Sequence, residues 1–448
     1  MIKKVLVLAP LIASINFGYL DTVTAATPTE LTATESLAQL AVSGTPTESK
    51  QAIAALRELG PKGLQAFLAT HQDRLKSSTL ASAPQLRAAL DTLCQQRDCY
   101  ASHLYWYTDL AQAKAAAKAS GKPILSLRLL GRLDEELSCA NSRFFRIALY
   151  ANGKVSEVLR DRFILHWESV RPAPKVTIDF GDGRRLQRTL TGNSIHYILD
   201  AEGRPIDALP GLYSPKAFLK HLLAVEKIAY QSSKLAGLER ENYLRKYHRD
   251  AIATIQAKWT ADLSKLGLSQ PLPKLAEVSQ ESPLAEVAAP LAVSKAVVEM
   301  PIISAISLNR QALQQATDDA TWAKIAQMYA AEASLDSNSL ALIRSKNPNL
   351  DREWRSLATD PDKNSLPPAI LNFERSIALD TVRNEYLFRF QLHQWFFEEP
   401  QTTENIDSLN ERVYAELFQT PSSDPWLGLL PSNTYTGIEN DGLTGRDR

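Results

Sequence analysis

The tightest constraint on this chain is an alternation of strand and helix patterns between residues 104 and 227. The run ILSLRLL, Ile124 to Leu130, lies between Pro123 and Gly131 and reads as a strand. Before it, LAQAKAAAKASGKP is an Ala-rich helix ending at Gly121. After it, SRFFRIALYANGKVSEVLR is helical in pattern, with a break expected at Asn152 and Gly153. RFILHWESV, Arg162 to Val170, is the next strand. Two hairpins follow, one turning at Gly181-Asp182-Gly183 and one at Glu202-Gly203. SPKAFLKHLLAVEKIAY then closes the unit as a helix, with Ser214 as its cap and Pro215 at its first position. Strand–helix–strand order calls for a sheet with helices on its faces.

The 448 residues suggest two or three domains. Residues 27–103 read as a helical N-terminal region. There, Thr45 and Glu48 form a capping box with Pro46 in the first turn, and Ile53, Leu56 and Leu59 recur at helical spacing. Gly60-Pro61 stops that helix, and Leu64, Phe67 and Leu68 begin another. The pair resembles one unit of a HEAT-type repeat, but no second copy appears at a fixed period. Residues 228–268 contain a charged amphipathic helix, and residues 269–309 a Pro/Ala-rich linker. Residues 310–448 form a helical C-terminal region with an irregular tail, which Trp426, Leu427, Leu429 and Leu430 are expected to dock.

Fifty basic and fifty acidic side chains cancel, so the chain offers no electrostatic case for nucleic acid. Residues 1–26 read as an export signal: Lys3 and Lys4, an apolar run from Val5 to Leu20, then small residues up to Ala25 and Ala26. A periplasmic or secreted protein without stable membrane insertion is expected. In such a compartment disulfides persist. Cys94 and Cys99 can bridge if the helix carrying Cys94 ends between them, with Cys99–Cys139 as an alternative pairing. Under the first pairing Cys139 is left over, either as a reactive thiol or as a buried one.

The block from Trp106 through GKPIL, a strand, Cys139 at a helix start and Phe163 before the next strand resembles the thioredoxin superfamily. The resemblance covers residues 104–227 and implies an α/β thioredoxin-like domain flanked by all-α N- and C-terminal regions. It also implies that three working parts are altered. The second cysteine of C-x-x-C falls on Ser142, the buried acid on Leu127 and the cis-proline on Ser194. Without a second thiol, a mixed disulfide on Cys139 is not resolved within the chain. Without proline, the bond before Ser194 is expected to be trans. The helix start beneath Cys139 favours a thiolate, as do Arg143 and Arg146, while Asp134, Glu135 and Glu136 oppose it.

His166 and His196 lie on strands expected to neighbour each other near Cys139 and line its site with Arg143 and Ser194. The seven histidines are scattered, and no cysteine spacing suits a metal, so neither metal nor cofactor is expected. Two functions compete. One is a non-catalytic scaffold that binds other exported proteins. The other is a monothiol disulfide oxidoreductase or isomerase that works through Cys139. The sequence leaves the oligomeric state open.

Overall fold

In the N-terminal region, helix ends fall where capping chemistry places them. This is a computed structural model, and it describes residues 28–76, 83–190, 192–273, 320–358, 366–400, 404–427 and 429. The expected export signal and most of the expected linker lie outside the described residues. Helix α1 (Pro28–Ser43) precedes α2 (Pro46–Glu58), where the Thr45 side chain accepts from Glu48 N–H and the Glu48 carboxylate accepts from Thr45 N–H. Gly60, at φ 63°, turns the chain into α3 (Pro61–Thr70), followed by α4 (Gln72–Lys76). Leu56, Leu64 and Phe67 are buried as the pattern requires, but Leu59 caps α2 and is exposed. Helix α5 (Pro84–Cys94) ends because Gln95 turns left-handed at φ 54°. That turn brings Cys99 back to form the Cys94–Cys99 disulfide and leaves Cys139 free.

Asp109 caps α6 (Leu110–Ser120) by accepting from Ala111 and Gln112 N–H. Then come β1 (Ile124–Leu130), α7 (Ala140–Phe144), a π-helical turn over Phe145–Tyr150, α8 (Gly153–Arg162) and β2 (Ile164–Arg171). The expected break at Asn152 is present: Asn152 caps α8 through Val155 N–H. Strands β3 (Lys175–Asp179) and β4 (Arg185–Thr189) form a hairpin of their own. Strands β5 (Ser194–Leu199) and β6 (Pro205–Pro210) return to the main sheet, and Ser214 caps α9 (Pro215–Ser232). The main sheet has the order β2-β1-β5-β6, with β1 parallel to β2 and antiparallel to β5. The protein is thus mixed α/β.

Helix α10 (Gly237–Lys265) leads towards the C-terminal region of α11 (Ala320–Met328), α12 (Ser337–Lys346), α13 (Pro348–Ala358) and α14 (Pro368–Arg383). A π turn over Asn384–Arg389 joins α14 to α15 (Phe390–Glu398), and a second over Val413–Leu417 extends α16 (Ile406–Arg412). One continuous apolar cluster runs from Leu104 in the sheet unit to Phe418, just past the last described helix, and a second fills the N-terminal helices. In the tail Leu427 is buried, but Trp426 is 41% exposed and does not dock.

Beside β6 the apolar core gives way to a buried polar cluster. Asp207 accepts from Tyr247 on α10 at 2.5 Å and from Arg389 on the 384–389 turn at 3.1 Å. Arg389 also donates to Glu385 at 3.2 Å, and His248 Nδ1 meets His393 Nδ1 at 2.9 Å. Burial opposes ionisation of Asp207, yet Arg389 beside it holds the carboxyl well below the usual range. Burial lowers His248 to about 4, and His166 and His196 to about 3.

Each lowered histidine binds protons more weakly in the fold than in the unfolded chain. Its contribution to stability is present above about pH 6.5 and lost as pH falls towards 4 and 3. Asp91, which burial raises to about 6, acts in the opposite sense on the rise through pH 6. Three histidines against one carboxyl make acid the destabilising direction. The thermal midpoint is expected to drop steadily from pH 6.5 to pH 4, and a flat profile over that window counts against the buried neutral histidines.

Candidate functional site

Cys139 is held at the end of β1, where its N–H donates to the Leu130 carbonyl at 3.2 Å. With φ −58° and ψ 157° it stands outside α7 as the N-cap, and its Sγ accepts from Ser142 N–H at 3.4 Å. Sulfur is a weak acceptor, so this cap is softer than a hydroxyl or carboxylate cap. Ser194, the first residue of β5, places its Oγ 3.1 Å from Sγ. Ser142 Oγ bonds Ser138 Oγ and lies 3.1 Å from the Cys139 carbonyl. The fold therefore brings Cys139, Ser142 and Ser194 into contact. All three are fully buried. The Asn193–Ser194 bond is trans, since no described peptide bond is cis.

The cover over the thiol comes from positions that the sequence did not single out. A Cβ added to Gly192 would stand 2.4 Å from Cys139 Cβ, closer than real side chains approach. The backbone at 192 lies directly on the cysteine, which is the close approach that glycine permits. The next residue is held from the far end of the chain: Tyr414 O–H donates to the Asn193 carbonyl at 2.7 Å. Tyr414 and Tyr150 are fully enclosed, and burial first, with Cys139 nearby second, pushes both phenols well above their ordinary values. Asn141 is completely buried with both amide atoms unpartnered, as is Asn193 Nδ2. These are unusual orphans for a folded interior.

The neighbouring charges are engaged with other groups. Arg143 donates to Thr189 Oγ1 at 3.0 Å. Arg146 donates to the Glu136 carbonyl at 3.3 Å and lies 3.9 Å from the Asp98 carboxylate. Asp134 and Glu135 pair with Arg132 at 2.7 and 3.7 Å. Glu136 pairs with Lys346 at 2.9 Å and Arg97 at 3.2 Å. Burial works against Glu136, but Lys346 and then the arginines bring it down to about 2. The acids of this loop thus pair with Arg132, Arg97 and Lys346, while Arg143 bonds a hydroxyl.

The two histidines do not sit together: His196 shares its face of β5 with Ser194, two positions away, and His166 does not. Strand β1 lies between β2 and β5, so the strands carrying His166 and His196 are not neighbours. His166 pairs in register with Ser126, and His196 with Leu127. Consecutive positions on a strand point to opposite faces, so the two rings lie on opposite sides of the sheet. His166 Nδ1 meets Ser126 Oγ at 2.9 Å, while His196 Nε2 meets Tyr150 O–H at 2.7 Å among the rings of Phe145 and Phe218. Among the described residues, no group of three or more His, Cys, Asp or Glu is placed to hold a metal ion, and no helix is long and apolar enough to cross a membrane.

The chain matches no protein-family model, no curated protein and no solved structure.

Gly192→Ala is expected to destabilise the protein by about 1–3 kcal/mol, the usual cost of forcing a methyl group into a filled core. Chemical denaturation measures it. A loss within experimental error would show that the 192–193 backbone does not bear on Cys139 as described.

Proposed function

We propose that this chain is an exported, non-catalytic thioredoxin-like scaffold that binds other exported proteins. The carrying observation is the closure over Cys139. The thiol has no exposed surface, the Gly192 backbone lies on it, and Tyr414 holds the adjoining residue. A thiolate must reach a disulfide sulfur in order to exchange, and access limits that reaction as much as acidity does. The strand–helix–strand order and the position of Cys139 at the mouth of α7 support the thioredoxin-like part of the reading. Ser142 and Ser194, in place of a thiol and a proline, support its non-catalytic part. The Cys94–Cys99 disulfide fits an oxidising, periplasmic or secreted setting.

A monothiol oxidoreductase is the second reading, favoured by the Ser142 N–H that points at Sγ. Such an enzyme would attack a partner disulfide with Cys139 and hold the mixed disulfide until an external thiol released it.

Three proteins separate these readings: wild type, Ser142→Cys and Cys139→Ser. In insulin-disulfide reduction the wild type is expected to be inert, and Ser142→Cys to stay far below an intact C-x-x-C enzyme. An alkylating reagent is expected to label Cys139 only after denaturation. Robust wild-type turnover that disappears in Cys139→Ser overturns the scaffold reading. Rapid labelling of the native thiol without turnover moves the assignment to the monothiol.

A further inference from the structure

Between β2 and β5 the chain leaves the main sheet through the β3–β4 hairpin. The base of this hairpin is fixed beside the closed thiol. Thr189 Oγ1 donates to the Ser138 carbonyl at 3.3 Å and accepts from Arg143 at 3.0 Å, and Leu190 N–H donates to the Pro174 carbonyl at 3.0 Å. Beyond that base the cross-strand register sorts the side chains into two faces. One carries the pairs Lys175–Thr189, Thr177–Gln187 and Asp179–Arg185. The other carries Val176–Arg188 and Ile178–Leu186, and ends at Phe180, whose N–H donates to the Arg184 carbonyl at 3.1 Å.

This second face is largely apolar and partly open to solvent, with the Arg184 guanidinium over the Phe180 ring. Ile178 is 40% exposed and Phe180 54%. Neither outer strand edge pairs with another strand among the described residues. An open strand edge beside an apolar face is a ready template for an added segment. The charges narrow down which segment. The hairpin holds Lys175, Arg184, Arg185 and Arg188 against Asp179 and Asp182. Both carboxylates are already paired, Asp182 with Arg184 at 2.7 Å and Asp179 with Arg185 at 2.9 Å. Lys175 and Arg188 have no ion pair among the described residues, and Arg188 stands opposite Val176 at the root of the apolar face. Two such arms would repel each other, whereas an acidic strand with its apolar side chains on the Ile178 face would turn its carboxylates to the face of the spare Lys175.

We infer that the β3–β4 hairpin is a docking arm for a partner protein that presents an extended segment of carboxylates alternating with apolar side chains. The inference rests on the scaffold reading, because it names the surface and the chemistry by which that scaffold takes its partner.

The test uses the full chain and a short synthetic peptide that alternates valine with glutamate, read by fluorescence anisotropy. A twin peptide with lysine in place of glutamate is the control. Saturable binding of the acidic peptide is expected, weakened by added salt, with no binding of the lysine twin. Ile178→Ser combined with Phe180→Ser, and separately Lys175→Glu on the face that receives the carboxylates, are each expected to weaken it about tenfold or more. An unchanged thermal midpoint in these exposed-site variants separates binding from folding. The inference is overturned by equal binding of the two peptides, by no binding of either, by variants that bind as wild type does, or by association with anionic phospholipid vesicles in place of the acidic peptide. Insulin reduction by the wild type would sink the scaffold reading whatever the peptides do, whereas an inert chain that ignores the acidic peptide loses only the arm.

Discussion

Strand β6 lies at the edge of the main sheet yet is buried along its whole length, and much of the C-terminal half answers that constraint. An edge strand must be paired, covered or blunted. Here it is covered, and the cover is bonded to it through Asp207. A carboxylate with 1% of its surface exposed costs several kcal/mol of desolvation unless it is paired. Arg389 and Tyr247 supply the partners, one from the 384–389 turn and one from α10. Glu385 shares the charge of Arg389, and His221 on α9 stands 3.1 Å from Glu385. The result pins three helical segments to one strand. Removing Arg389 alone would leave the buried Asp207 and Glu385 carboxylates without their shared cation, which is why such a cluster fixes geometry even where its net energy is small.

The closure over Cys139 belongs to the same arrangement. The segment from Ile406 to Leu417 touches the sheet unit at three successive points. Asp407 accepts from Arg128 at 3.1 Å, Asn410 accepts from Tyr197 O–H at 3.3 Å, and Tyr414 reaches Asn193 at 2.7 Å. Arg128 sits on β1 with only 3% of its surface exposed, so it requires the carboxylates of Asp407 and Glu168. The polar residues on that face of β1 therefore call for a cover, and the cover brings Tyr414 to the loop that closes the thiol.

Features set by neighbours in the chain were legible in the sequence. The Thr45–Glu48 box, the Ser214 cap, the break at Asn152 and the short cysteine bridge are all local, and each depends on side chains a few residues apart. The contact among Cys139, Ser142 and Ser194 could be foreseen only through a resemblance, because Ser194 is 55 positions from the cysteine. Nothing in the sequence around Gly192 marks it as lying on Cys139, and nothing in the helical pattern around Tyr414 marks it as a partner of Asn193. The opposed faces of His166 and His196 depend on β1 entering between their strands, which is a topological fact rather than a local one. Among the described residues three π turns, at 145–150, 384–389 and 413–417, each shift the helix face relative to a 3.6-residue period. They carry Arg146 and Tyr150, Glu385 and Arg389, and Tyr414, so a helical pattern misplaces the very side chains that hold the polar clusters.

In the fold Cys139 stands as the cap of α7 and within the core. Its sulfur already meets two hydrogen-bonding groups, Ser142 N–H and the Ser194 hydroxyl, inside the main apolar cluster. To meet an external disulfide, the backbone at Gly192 would have to lift from Cys139 Cβ, and Asn193 would have to part from Tyr414. Tyr414 is itself locked, buried at 1% exposure with its ring edge-on to Phe418. Movement of the 192–193 loop away from the thiol would thus break its bond to Tyr414. Exposure of the thiol is coupled to displacement of the 406–417 segment, and through Asp407 and Asn410 to the loss of the contacts that cover β1 and β5. The reactivity of Cys139 is in this sense a reporter of whether the C-terminal helices are seated on the sheet.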